Sequence, residues 1–112
     1  MSTTLLDTYK AQWIKGVTFA GRASIREYWT FTLINLLLIA VLIAVSSSAA
    51  VLLILVALIP SLAAAVRRLH DTNRNGWWLL LKLIPVIGGV IVVVLLLMNG
   101  TRGPNDFGDA PV

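Results

Sequence analysis

The chain has 112 residues, 58% of them hydrophobic and only 12% charged, with a mean hydropathy of +0.88. A water-soluble domain of this length could not bury so much apolar surface, because the smallest domains hide the smallest fraction of theirs. The net charge of +4 and a pI near 10.1 would suggest nucleic-acid binding in a soluble protein. Here the basic residues gather at the ends of apolar runs, as they do when they orient a chain in a bilayer, and no nucleic acid is expected. The absence of cysteine excludes a disulfide framework, a thiolate metal site and a cysteine nucleophile.

Residues 4–17 read as an amphipathic helix. Leu5, Leu6, Tyr9, Trp13, Gly16 and Val17 share one side, and Asp7, Thr8, Ala11, Gln12 and Lys15 the other. Thr4 with Asp7 can cap its start, and the pattern predicts an interfacial helix lying on the cytoplasmic surface. Three apolar stretches follow, Trp29–Val45, Ala49–Val66 and Trp77–Met98. Each meets the lower limit of about 17 residues for crossing a bilayer. They predict transmembrane helices over 24–46, 49–66 and 76–98, with the serines at 46–48 as a tight turn, a cytoplasmic polar loop over 67–76 and a short ordered polar tail over 99–112. The expected fold is all-α, one integral membrane domain. Ser24 with Glu27 forms a capping box, and Tyr28-Trp29 and Trp77-Trp78 suit the headgroup level. Asn75 is the expected N-cap of the third span, and Asn99-Gly100 its stop. A long region precedes the first span and a second apolar run follows at once, so no cleaved signal peptide is expected.

Orientation follows from Lys and Arg. Lys10, Lys15, Arg22 and Arg26 precede the first span, Arg67, Arg68 and Arg74 lie between the second and third, and the serine turn has none. The tail carries only Arg102 against Asp106 and Asp109. Three spans place the two rich segments on one side, giving a cytoplasmic N-terminus and an external C-terminus.

Residues 67–76 are the densest candidate site. His70 beside Asp71 has the residue types of a general base and its carboxylate partner. Sequence neighbours rarely orient each other that way, however, and no Ser or Cys nucleophile motif accompanies them, so no catalytic residue is assigned. A single His without a ligand cluster assigns no metal, and no cofactor is expected. Arg22, Arg26, Arg67, Arg68 and Arg74 are the candidate headgroup or anion-binding set, since such clusters attract anionic lipid at about 1 kcal/mol per residue. Ser24, Glu27, His70, Asp71, Asn35 and Lys82 form a candidate structural polar network, with Glu27 expected to pair with Arg67 or Arg68. Asn35 and Lys82 fall about 10 Å and 9 Å inside their spans; Lys82 is expected to snorkel, with a hydrogen bond to Asn35 helping the bundle pack. Pro60 and Pro85 should kink their spans.

Phe19-x-Gly21-Arg22-x-Ser24-x-x-Glu27-Tyr28-Trp29 and Arg67-Arg68-Leu69-His70-Asp71-Thr72-x-Arg74-x-Gly76-Trp77-Trp78 resemble the small bacterial inner-membrane family called domain of unknown function 805. Leu83-Ile84-Pro85-x-Ile87-Gly88 and Gly100-Thr101-x-Gly103-x-Asn105-x-Phe107-Gly108 are similar to its later motifs, so the resemblance covers nearly the whole chain. The serine turn is shorter than the connections that members can carry there. The resemblance implies a multi-pass protein of the bacterial inner (plasma) membrane, and it brings no established activity or catalytic residue.

The expected function is a non-enzymatic membrane module that binds itself, a protein partner or anionic phospholipid within the lipid bilayer. One alternative is a membrane-bound enzyme or carrier acting on a lipid-phosphate substrate, which needs His70, Asp71 and several arginines on one open pocket. The other is an oligomeric minimal transporter subunit, which needs Asn35 and Lys82 on a polar cavity.

Overall fold

The computed structural model describes residues 4–111, so Val112 of the expected tail lies outside it. Among the described residues the chain is helical, as expected: α1 (Leu5–Ile14), α2 (Ile25–Val45), α3 (Ser47–Asp71), a 3-10 helix (Gly76–Leu83) and α4 (Ile87–Leu97). Capping boxes open α1 at Thr4/Asp7 and α2 at Ser24/Glu27. Ser46 alone separates α2 from α3; its N–H closes the first and its hydroxyl accepts the Ala49 N–H at 3.3 Å to cap the second.

α3 does not stop at Val66. Its helical path continues through Arg67-Arg68-Leu69-His70-Asp71, which the sequence placed in a loop. The segment is polar yet helical, since basic side chains suit the negative end of a helix dipole and these find partners. The helix ends on Asn73 at φ 61°: the Asn73 N–H donates to His70 O and the Arg74 N–H to Leu69 O, both at 2.9 Å. This is a Schellman closure with asparagine in the left-handed position.

The third apolar stretch requires a larger correction. It is not one helix over 76–98 but a 3-10 arm and an α-helical arm joined at Pro85-Val86. Pro85 cannot donate to a continuing helix, and Val86 adopts φ 63° and ψ −65°. The Ile87 N–H donates to Pro85 O at 2.7 Å, so the chain reverses through a tight γ-turn that is rare for a β-branched residue. At about 2.0 and 1.5 Å per residue, the arms are each about 16 Å long, half of a bilayer's hydrocarbon core. Both open ends lie at the same end of the bundle. Gly76 packs on Val66, and Leu96 O accepts the Trp29 indole N–H at 2.9 Å. The tail therefore returns to the end where Arg22 and Asp71 lie instead of emerging at the opposite one.

α1 splits the expected apolar side, with Tyr9, Trp13 and Gly16 toward the bundle and the leucines away from it. Thr8 and Gln12 are buried against the bundle, whereas Leu5, Leu6 and Val17 are more than half exposed. Tyr9 and Trp13 pack on Phe31 of α2, with ring centroids 5.5 Å apart in each pair. Polar atoms can face inward here because Gln12 finds bundle partners, described below.

The core sits at this same end, where Tyr28, Phe31, Ala64, Leu69, Val92 and Leu96 meet. Toward the Ser46 turn the α2–α3 hairpin is nearly bare. Among the described residues α2 and α3 are the two helices long and apolar enough to cross a membrane, and only 17% and 28% of their apolar windows are buried. Apolar surface of that extent needs apolar surroundings.

Gly88 and Gly89 test the hairpin. A Cβ on Gly88 would collide with the Leu81 carbonyl of the facing arm, whereas one on Gly89 would meet nothing within 4 Å. Gly88→Ala should destabilise the protein by about 1–3 kcal/mol in a detergent melt, and Gly89→Ala should be neutral or stabilising by up to about 1 kcal/mol. Equal melting temperatures would show that the arms do not pack in this way.

Candidate functional site

The Arg-rich end is built around one carboxylate. Asp71, in the last turn of α3, accepts from Arg22 Nε at 2.9 Å through Oδ1 and from Arg68 Nη1 at 2.7 Å through Oδ2. All three residues are buried. Arg68 lies one turn before Asp71 on α3, while Arg22 reaches it from the extended segment ahead of α2.

The remaining guanidinium hydrogens go to main-chain carbonyls. Arg22 donates to Thr101 O at 2.5 Å, Gly103 O at 2.6 Å and Gly108 O at 3.2 Å, fixing the tail. Arg68 donates to Leu96 O at 3.1 Å, to Met98 O, and to Ala23 O at 3.2 Å. It thereby serves carbonyls that α4 leaves unpaired at its C-terminus. Arg67 turns toward α1, donating to Lys15 O at 2.8 Å, Thr18 O at 2.5 Å and Gln12 Oε1 at 2.7 Å. Each of these arginines ties a different segment to the end of α3.

The tail is held from its own side as well. The Thr101 N–H donates to Asp71 O at 2.7 Å, and Asn105 Nδ2 donates to His70 O at 2.9 Å. Phe107 stacks on the His70 ring, 4.0 Å between centroids and 4° from parallel. His70 Nδ1 sits 2.9 Å from Gly21 O, so Nδ1 carries the hydrogen, because a carbonyl can only accept. A Cβ on Gly100 would strike the Asp71 carboxylate, which requires glycine there.

Of the five candidate anion-binding arginines, Arg22, Arg67 and Arg68 are buried and bonded within the chain. Arg26 is exposed, and the half-buried Arg74 lies over the Trp78 ring at 5.8 Å. The set does not form one outward-facing ring. Glu27, the expected arginine partner, instead caps α2, lies 3.8 Å from Lys15 Nζ and accepts from Gln12 Nε2 at 3.3 Å. Asp71 takes the role assigned to Glu27. Ser24 is the α2 cap, Asn35 accepts the Tyr9 hydroxyl at 2.7 Å, and Lys82 is exposed on the 3-10 helix. His70 faces a cavity of about 620 Å³ with Phe19, Asn75 and Trp77, which neither Asp71 nor an arginine lines. The constellation needed for lipid-phosphate chemistry is thus divided between a closed cluster and an open cavity.

A family model described as "Protein of unknown function (DUF805)" matches residues 16–109. The chain belongs to this family. No curated protein and no solved structure matches it. The DUF805 match begins at Gly16, just beyond α1, and takes in the segments that meet at Asp71: Gly21-Arg22, Arg67–Asp71 and Gly100–Gly108. The spacing could not reveal that convergence, because Arg22 and Asp71 are 49 residues apart. The sole sequence hint was a carboxylate among several arginines.

Asp71→Asn leaves Arg22 and Arg68 as buried cations without a countercharge, and should cost about 3–5 kcal/mol of stability. Glu27→Gln loses a partly exposed pair with Lys15 and keeps an acceptor for Gln12 and for the capping box, so it should cost clearly less, about 1 kcal/mol. Parallel melts in one detergent check the ranking, and equal losses would remove Asp71 from the centre of the structure.

Proposed function

We propose that this DUF805 protein is a non-enzymatic module of the bacterial inner membrane that works by binding anionic lipid. The supporting observation is where the charged groups point. The buried arginines and Asp71 are engaged with one another and with the backbone, so the cluster reads as a lock that shapes the module and not as a reaction centre. Arg26, Arg74 and Arg102 lie close in sequence to the segments that meet at Asp71, Arg26 and Arg102 exposed and Arg74 half-buried. They suit the attraction of an anionic leaflet.

In the proposed placement α2 and α3 cross the bilayer, and about 20 residues of α3 up to Val66 span its core. Arg67–Asp71 then project into the headgroup region, and the 3-10/α4 hairpin is re-entrant from that side. The positive-inside rule makes that side cytoplasmic. The tail follows it, because it is bonded to Arg22, and the end of α1 does so because Lys15 O and Thr18 O accept from Arg67.

Topology reporters fused at either end should therefore both report the cytoplasm. An external C-terminal signal would restore three full crossings. Native mass spectrometry of protein extracted with its lipid should show bound anionic phospholipid, reduced in Arg74→Gln at unchanged melting temperature. Undiminished lipid in that variant would move the anionic contact away from the Arg74/Trp78 corner.

A further inference from the structure

Cavities adjoin in series along one stripe of α3, away from the stripe that meets α1 at Pro60 and Arg67. The first, of about 620 Å³, lies at the Arg-rich end and shares Leu62, Leu79 and Leu80 with a second of about 340 Å³. The second shares Tyr28, Leu58 and Ser61 with a third of about 200 Å³ between α2 and α3. His70, Val66, Leu62, Leu58 and Ile54 recur every four residues along the floor. From Val66 to Ile54 this trough runs about 18 Å at about 1.5 Å per residue, close to the depth of one leaflet.

Two groups distinguish it from a plain lipid-facing groove. Asn35 is only 5% exposed and lines the third cavity, yet its Nδ2 has no hydrogen-bond partner. Lys82 lines the second cavity from an otherwise apolar 3-10 helix, with no acidic side chain paired to it among the described residues. Ser61 borders both cavities. No Asp or Glu lines any of the three. A trough that offers a lysine ammonium and an unpartnered amide donor, with no carboxylate, complements an acceptor head with negative charge on a long apolar chain. A phospholipid phosphate fits poorly, because it would have to be drawn below the headgroup level to reach Lys82.

We propose that the trough binds one long-chain fatty acid, its carboxylate seated at Ser61 between Lys82 and Asn35 Nδ2 and its chain lying along Leu58 and Ile54, away from the Arg-rich end. The proposal rests on the lipid-binding reading above and names a ligand for it. The acid enters laterally from the leaflet in its uncharged form and gives its proton to water at the exposed Lys82 ammonium, which then pairs with the carboxylate, so no phosphate or glycerol backbone has to cross apolar depth.

The test uses full-length protein in nanodiscs of zwitterionic lipid, titrated with palmitate, hexadecanol or phosphatidylglycerol. Palmitate should bind saturably at one per chain, and hexadecanol, lacking the carboxylate, clearly more weakly. Lys82→Gln should weaken palmitate about tenfold, and Asn35→Leu should weaken it as well. Lys82 is exposed and makes no internal contact that the fold needs, so its variant reports binding even if Asn35→Leu folds poorly through loss of the Tyr9 bond. Palmitate uptake no greater than in empty nanodiscs, or equal affinity in Lys82→Gln, overturns the fatty-acid site. Should phosphatidylglycerol still bind in an Arg74-dependent way, the broader lipid-binding reading stands while this one falls.

Discussion

The Asp71 carboxylate between Arg22 and Arg68 is the contact on which the rest of the structure depends. Two guanidinium groups cannot be buried side by side without a countercharge, and one carboxylate supplies it with one oxygen for each. Donors left over after that pairing reach carbonyls of the tail, of the α4 terminus and of the segment before α2. Breaking one partner therefore exposes a buried charge and also releases several chain segments. The aromatic core and the polar lock adjoin at this end.

That concentration explains the asymmetry of the molecule. Near Asp71 nearly every main-chain group at a helix end has a partner, from the Schellman turn at Asn73 to the Arg68 contacts with Leu96 and Met98. Toward Ser46, α2 and α3 run with their apolar side chains outward and depend on the surroundings for their stability. A bilayer supplies such surroundings over the length that the two helices share. The hairpin of the 3-10 helix and α4 joins the core through Val92, Leu95 and Leu96. Its reach, about half a hydrocarbon core, leaves the trough along α3 open to the side.

The inward turn of the arginines also limits where an anion could bind. An anion site or a phosphate-handling centre needs donors aimed at a vacancy, and those of Arg22, Arg67 and Arg68 are aimed at the chain's own carbonyls. His70 has its ring stacked on Phe107 and its Nδ1 bonded to Gly21, so it acts as part of the tail clasp. Asn35 and Lys82 are different, since their unanswered polar groups line cavities.

The sequence by itself determined the helical class, the first two long apolar helices, the caps at Thr4, Ser24 and Asn75, and the family. These follow from local composition, spacing and motif, which a linear reading registers. It also showed that charge collects near residues 22–26 and 67–74, although not which way the side chains turn. Only the tertiary structure decided that Asp71 and not Glu27 pairs with the arginines, because that choice depends on an approach across 49 residues. The same holds for the third apolar stretch. Its composition suits a crossing helix, and it reverses at Val86 because Pro85 interrupts the helix and the core holds both open ends beside Trp29 and Val66. Hydropathy records how much apolar surface a segment carries; whether that segment crosses or turns back is fixed by what its ends are bonded to.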